Sequence, residues 1–221
     1  EGVTLEEKTL EYGSAVEYRG EEPQKAATAE YTFLFDGWTD GTNSYAKDEA
    51  LPVLTGETEY TAVFKTDKNE YKVMWSVEGT VTEGYFAYGT KAEYAGETPS
   101  KDKTAQYTYA FAGWARTEGG EVLDAEEMKI TSEVTFYAVF SSTVNRYAVK
   151  FVNDGTELSS ETLEYGTVPA YEGQTPVKAS TAQYDYVFAG WNDGQADYST
   201  EDTLPAVTGE ATYTADRKSV V

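Results

Sequence analysis

The sequence predicts an α+β fold, mainly β, built as three tandem small domains of four strands and a short helix each. Two observations carry that prediction. Motifs return at a fixed interval: Tyr12-Gly13 reappears as Tyr88-Gly89 and Tyr165-Gly166, and Gly37-Trp38 as Gly113-Trp114 and Gly190-Trp191, 76 and then 77 residues apart. Between these markers, aromatic and aliphatic residues alternate with polar ones in short runs, the two-residue period of a strand with one buried face. Divided this way, the 221 residues give units of about 75, near the lower end of what folds on a core of its own.

The third unit shows the order of elements most clearly. Tyr147, Val149 and Phe151 alternate with Ala148, Lys150 and Val152 as an opening strand, and Asn153-Asp154-Gly155 supplies residues that tolerate positive φ in a hairpin turn. A second short strand is expected from Leu163 to Tyr165, ending at Gly166, and Gly173-Gln174-Thr175-Pro176 marks an irregular crossing segment. Tyr184, Tyr186 and Phe188 lead into Gly190-Trp191 as the central strand, matched by Tyr31, Phe33, Phe35 with Trp38 and by Tyr107, Tyr109, Phe111 with Trp114. A short helix is expected after each tryptophan, at 45–51, 123–128 and 198–204. Ser199 or Thr200 ahead of Glu201-Asp202, and Asp124 ahead of Glu126-Glu127, place capping and acidic residues at a helix start. Tyr60–Phe64 and Phe136–Phe140 read as closing strands, and the polar stretches Lys65–Glu70 and Ser141–Arg146 as joints. The expected domains are 1–65, 71–140 and 147–221.

The repeats are unequal at the ends. Opening strands exist at Tyr71-Val73-Trp75 and Tyr147-Val149-Phe151, but nothing equivalent precedes Gly2. In the third copy Asp216-Arg217 stand where Val63-Phe64 and Val139-Phe140 stand, so Asp216–Val221 read as an atypical tail.

Composition excludes several function classes. There are 39 Asp and Glu against 17 Lys and Arg, a net charge of −22, which repels nucleic acid and anionic lipid. No cysteine means no disulfide or thiolate metal site, and no histidine removes the commonest general base. No stretch approaches the ~20 apolar residues of a membrane span. No signal peptide is apparent at Glu1, and the abrupt start reads as that of a fragment.

The order just described, a Y-x-V-x-F strand, E-Y-G, a proline before an aromatic strand ending in G-W, and a Y-x-A-x-F closing strand, resembles the Listeria–Bacteroides repeat family, of which the B-repeat of internalin B is a member. The resemblance covers essentially the whole chain in three copies. It implies a β-grasp-like domain in the extracellular part of a bacterial surface protein, acting as a stalk, spacer or adhesion module, with no catalytic residues to carry over.

Other constellations are weighed against plainer readings. Trp38, Trp114 and Trp191 could stack on sugar rings, but each ends the most apolar strand, where an aromatic anchors a core. Leu51–Gly56 and Leu204–Gly209 are like the sorting signal L-P-x-T-G, with one residue too many; a bend before the closing strand is the plainer reading. Asp193, Asp197, Glu201 and Asp202 lack calcium-loop spacing. Lys25, Lys101 and Lys178 recur, but an isopeptide bond also needs an Asn, and none recurs in all three copies.

The expectation is therefore a non-enzymatic extracellular segment without catalytic, cofactor or metal residues, its partner a surface protein or a glycan. The alternative is a carbohydrate-binding array of a secreted glycan-degrading protein. Because the first repeat lacks its opening strand, an open sheet edge is expected there, inviting strand-mediated self-association.

Overall fold

The computed structural model describes residues 2–221, and among them are twelve β-strands and no helix. In the first repeat β1 (Tyr31–Thr39), β2 (Ser44–Ala46) and β3 (Thr61–Lys68) form a sheet in the order β2-β1-β3. In the second, β4 (Glu70–Val77), β5 (Thr80–Ala87), β6 (Tyr107–Ala115) and β7 (Val134–Val144) take the order β5-β4-β7-β6. The third adds β8 (Arg146–Asn153), β9 (Thr156–Glu164), β10 (Asp185–Asn192), β11 (Asp197–Ser199) and β12 (Ala211–Val220) in the order β11-β10-β12-β8-β9. Two compact units divide the chain: one runs to Gly96 and takes in Trp114–Ala138, the other comprises Glu97–Gly113 and Val139–Val221.

The expected α+β, β-grasp-like class is corrected by this architecture: the chain is all β. The sites of the three expected helices hold single turns, closed by Glu49 N–H to the Ala46 carbonyl, Lys129 N–H to Glu126 and Asp202 N–H to Ser199. The capping chemistry was present but closes one turn and no more. Asp124 Oδ1 accepts from the Glu126 and Glu127 amides, and Glu127 Oε2 from the Asp124 amide, a reciprocal cap. Beyond that turn Lys129 bridges to Lys91 in extended conformation, and elsewhere Pro52 and Pro205 disfavour helical dihedrals in the residue before them. Tyr45 and Tyr198, expected to open helices, lie instead in β2 and β11, paired with Trp38 and Trp191. Four strands per repeat is likewise corrected to three, four and five.

The opening hairpins form as the sequence indicates. Asp154 and Gly155 have φ of 47° and 80°, and Glu78 and Gly79 have 48° and 83°, the double positive φ of a type I′ turn. β9 is longer than the expected 163–165 because a bulge near Phe151 and Val152 breaks its alternation, placing Leu158 and Leu163 five residues apart yet both against the core. The tail 216–220 is also regular: it is the second half of β12, paired with β10 from Asp185↔Val220 onward.

The Gly-Trp pair is a bulge. Gly37, Gly113 and Gly190 have φ of 138°, 145° and 143°, and the β1–β3 and β10–β12 registers shift just before Gly37 and Gly190. A Cβ at Gly190 would lie far inside van der Waals contact distance of the Tyr198 carbonyl oxygen, so glycine lets β11 approach β10.

Candidate functional site

Each tryptophan belongs to a recurring aromatic cluster at the heart of its repeat. In the second, Trp75 of β4 meets Trp114 at 4.7 Å, Phe136 at 5.0 Å and Tyr94 at 5.5 Å between ring centroids. In the third, Phe151 of β8 meets Trp191 at 4.8 Å, and Tyr171 and Tyr213 both at 5.3 Å. The ring from the opening strand is thus the hub, delivered by the parallel pairs Trp75↔Phe136 and Phe151↔Tyr213. Trp114 and Trp191 are each 8% exposed, too covered for their faces to stack on a sugar.

The first repeat has the rim of this cluster without its hub. Trp38 touches Tyr18 at 5.0 Å and Phe35 at 5.3 Å and is only half-buried. Every buried hydrophobic residue among those described lies at or beyond Val73. The strand itself is shorter: β7 and β12 begin at Val134 and Ala211, where they pair with β4 and β8, whereas β3 begins at Thr61, three residues past the equivalent position.

The joints between repeats are single residues. β3 ends at Lys68 and β4 starts at Glu70; β7 ends at Val144 and β8 starts at Arg146. The residues between, Asn69 and Asn145, are built into matching networks. Asn69 Nδ2 donates to the Thr28 and Ala29 carbonyls at 2.9 and 3.1 Å, and its Oδ1 accepts from Thr32 Oγ1 at 2.7 Å. Its amide donates to the Glu30 carbonyl, its own carbonyl accepts from the Tyr88 amide, and the Tyr71 hydroxyl donates to the Ala29 carbonyl. Asn145 repeats its five with Thr104, Ala105, Thr108, Gln106 and Tyr165, and the Tyr147 hydroxyl donates to the Ala105 carbonyl as Tyr71 does to Ala29. The polar runs 65–68 and 141–144, expected to be joints, are therefore strand. A recurring Asn in only two copies was the available signal, and it marks the joints because three repeats have two.

The remaining candidates are resolved locally. Gly13 and Gly166 amides donate to the Leu54 and Val207 carbonyls, so the E-Y-G turn clasps the bend that resembles a sorting signal, and Gly89 donates to the Ile130 carbonyl at the equivalent place in the second repeat. Asp193 accepts from the Gln195 and Ala196 amides and from the Tyr198 hydroxyl at 2.9 Å, contacts that hold its carboxyl below the usual range. Asp40 does the same with Thr42, Asn43 and Tyr45, again held well below it. These acids close turns. Among the described residues no group of three or more His, Cys, Asp or Glu is placed to hold a metal. Lys25, Lys101 and Lys178 sit over the rings of Phe33, Tyr109 and Tyr186 at 4.2, 5.1 and 4.9 Å, a cation–π contact that accounts for their recurrence.

Two features of the third repeat stand out. A cleft of about 370 Å³ is lined by Tyr171, Phe188, Trp191, Thr200 and Asp202 among others. Arg217, opposite Phe188 where Phe64 stands opposite Phe35, has a side chain 10% exposed and pairs with Asp154 at 3.2 Å, which with Lys178 lowers the Asp154 carboxyl.

Sheet repeats joined through single clasped residues define a tandem-repeat protein. A solved structure similar to the chain is that of Streptococcal High Identity Repeats in Tandem (SHIRT) domains 3-4 from a cell surface protein, with 16% identity, a TM-score of 0.29 and coverage of 68% of this chain and 98% of that one. No family model matches the chain and no curated protein is found similar to it, so the likeness to Listeria–Bacteroides repeats rests on the quoted motifs.

Proposed function

We propose that the chain is a non-enzymatic segment of an extracellular surface protein, with folding units 1–65, 71–140 and 147–221, and that it serves as a spacer holding other parts of that protein away from their anchor. The supporting observation is the joint. A spacer keeps its length only if consecutive repeats resist bending, and a single residue tied by five hydrogen bonds leaves fewer free dihedrals than any flexible linker. Backbone 15N relaxation tests this reading: the first two repeats should share one rotational correlation tensor, and independent tumbling of the two would overturn it.

A second reading, glycan binding, is favoured by the aromatic and polar lining of the third-repeat cleft. A glycan array screened with the whole chain tests it. Saturable binding abolished by Tyr171→Ala would support it, and an empty screen would leave the spacer reading alone.

A further inference from the structure

The cleft of the third repeat is bridged, at the equivalent place in the first, by an ion pair. Residues 13–25 and 36–51 align without a gap on 166–178 and 189–204, which sets Glu22 against Thr175 and Lys47 against Thr200. In the first repeat Lys47 Nζ and the Glu22 carboxylate pair with each other, tying the crossing segment to the turn that follows β2. In the third repeat both positions are threonine and exposed, and both line the cleft of about 370 Å³ between the crossing segment and the turn that follows β11. Exchange of the pair for two short hydroxyl side chains leaves open a surface that the first repeat spans.

A tyrosine differs in the same sense. The Tyr18 hydroxyl donates to the Glu21 carbonyl at 3.0 Å. Its counterpart Tyr171 lines the cleft, its ring fixed by Phe151 at 5.3 Å and Trp191 at 5.1 Å, and among the described residues its hydroxyl has no protein partner. The cleft therefore offers the hydroxyls of Tyr171, Thr175 and Thr200, the half-buried rings of Tyr171 and Phe188, and one carboxylate. That carboxylate is Asp202, whose Oδ2 accepts from the Ser199 amide at 2.7 Å and whose Oδ1 is left to accept from a ligand hydroxyl. No Lys or Arg lines the cleft. A ligand carboxylate or phosphate would face Asp202 with no cation in the lining, on a chain of net charge −22, whereas an uncharged hydroxyl-rich ligand meets donors and acceptors throughout.

We propose that this cleft is a binding site for a short uncharged saccharide, and that threonine at 175 and 200 is what opens it. The inference rests on the glycan reading and narrows it to one repeat and one charge class. The first repeat, bridged by Glu22 and Lys47, does not take the ligand.

Amide NMR titration of the full chain tests the proposal, with lactose, maltose, cellobiose and diacetylchitobiose as neutral probes and sialyllactose and digalacturonic acid as anionic ones. At least one neutral probe should shift the amides of Tyr171, Thr175 and residues 199–204 saturably, with the anionic probes weaker by about tenfold or more. Thr175→Glu combined with Thr200→Lys rebuilds the pair of the first repeat at two exposed positions and should weaken the neutral probe by about tenfold or more, while unshifted amides in β8 and β12 show that the fold is kept. Asp202→Asn leaves the cleft open and should narrow the gap between neutral and anionic probes. Anionic probes that bind as tightly as neutral ones, or a gap that Asp202→Asn leaves unchanged, would overturn the charge class. Undiminished binding by the double variant would overturn the threonine opening. Either result would leave the chain a glycan binder. No shift at these amides with any probe at millimolar concentration would overturn the site, and an empty glycan array beside it would remove the glycan reading as well.

Discussion

Substituting the same tryptophan in different repeats should have unequal consequences. Trp191→Ala removes a ring 8% exposed, in contact with Phe151, Tyr171 and Phe188. Large aromatic-to-alanine changes in a core cost about 3–5 kcal/mol, and a ring with three neighbours at 4.8–5.2 Å belongs at the upper end, about 4–5 kcal/mol. Trp38→Ala removes a half-buried ring with two such neighbours and no hub, and half the burial gives about 2 kcal/mol. Native-state hydrogen exchange in a urea series reads the local stability of each repeat separately, which a single global melt does not. Protection lost from Asp185–Asn192 in Trp191→Ala and from Tyr31–Thr39 in Trp38→Ala should differ by about 2–3 kcal/mol. Equal losses would refute the idea that the opening strand completes the aromatic cluster.

Gly190→Ala should destabilise the third repeat by about 2–4 kcal/mol, combining strain at φ 143° with a clash on the Tyr198 carbonyl, measured by urea unfolding followed through circular dichroism. Arg217→Phe should stabilise the same repeat by about 1 kcal/mol, because it restores the ring pair seen for Phe35–Phe64 at 6.1 Å and for Phe111–Phe140 at 6.0 Å while Asp154 keeps Lys178; a lower urea midpoint would contradict this. The Asp193 carboxyl is lowered in the fold, so the stability its charge adds is present above the unfolded value near pH 4 and lost as pH falls through the lower folded value. Comparing the parent with Asp193→Asn cancels the general relief of −22 self-repulsion; the gap in urea midpoint should be largest above about pH 5 and close in acid.

Most of the sheet framework is legible in the residues, for identifiable reasons. Alternating aromatics locate β1, β6 and β10, and Asp154-Gly155 announces its turn, because side-chain period and positive φ are local properties. The helices fail because Asp124 and Glu127 satisfy the same backbone amides in a lone turn as at a helix start, and the bridge at Lys129 decides between them. The joints are hidden for a different reason: Lys65–Lys68 are polar enough to read as a linker, while their strand state comes from pairing with Tyr31–Leu34.

The spacer account stands most directly on the stiffness of the Asn joint, and the absence of cysteine makes that measurable. Leu34→Cys and Val81→Cys introduce two exposed sites on either side of Asn69, and nitroxide labels there report the distance across the joint by electron–electron double resonance. The account predicts one narrow distance peak that broadens when Asn69→Ala removes the hydrogen bonds to Thr28, Ala29 and Thr32. A distribution already broad with Asn69 in place, or one that Asn69→Ala leaves unchanged, would contradict it.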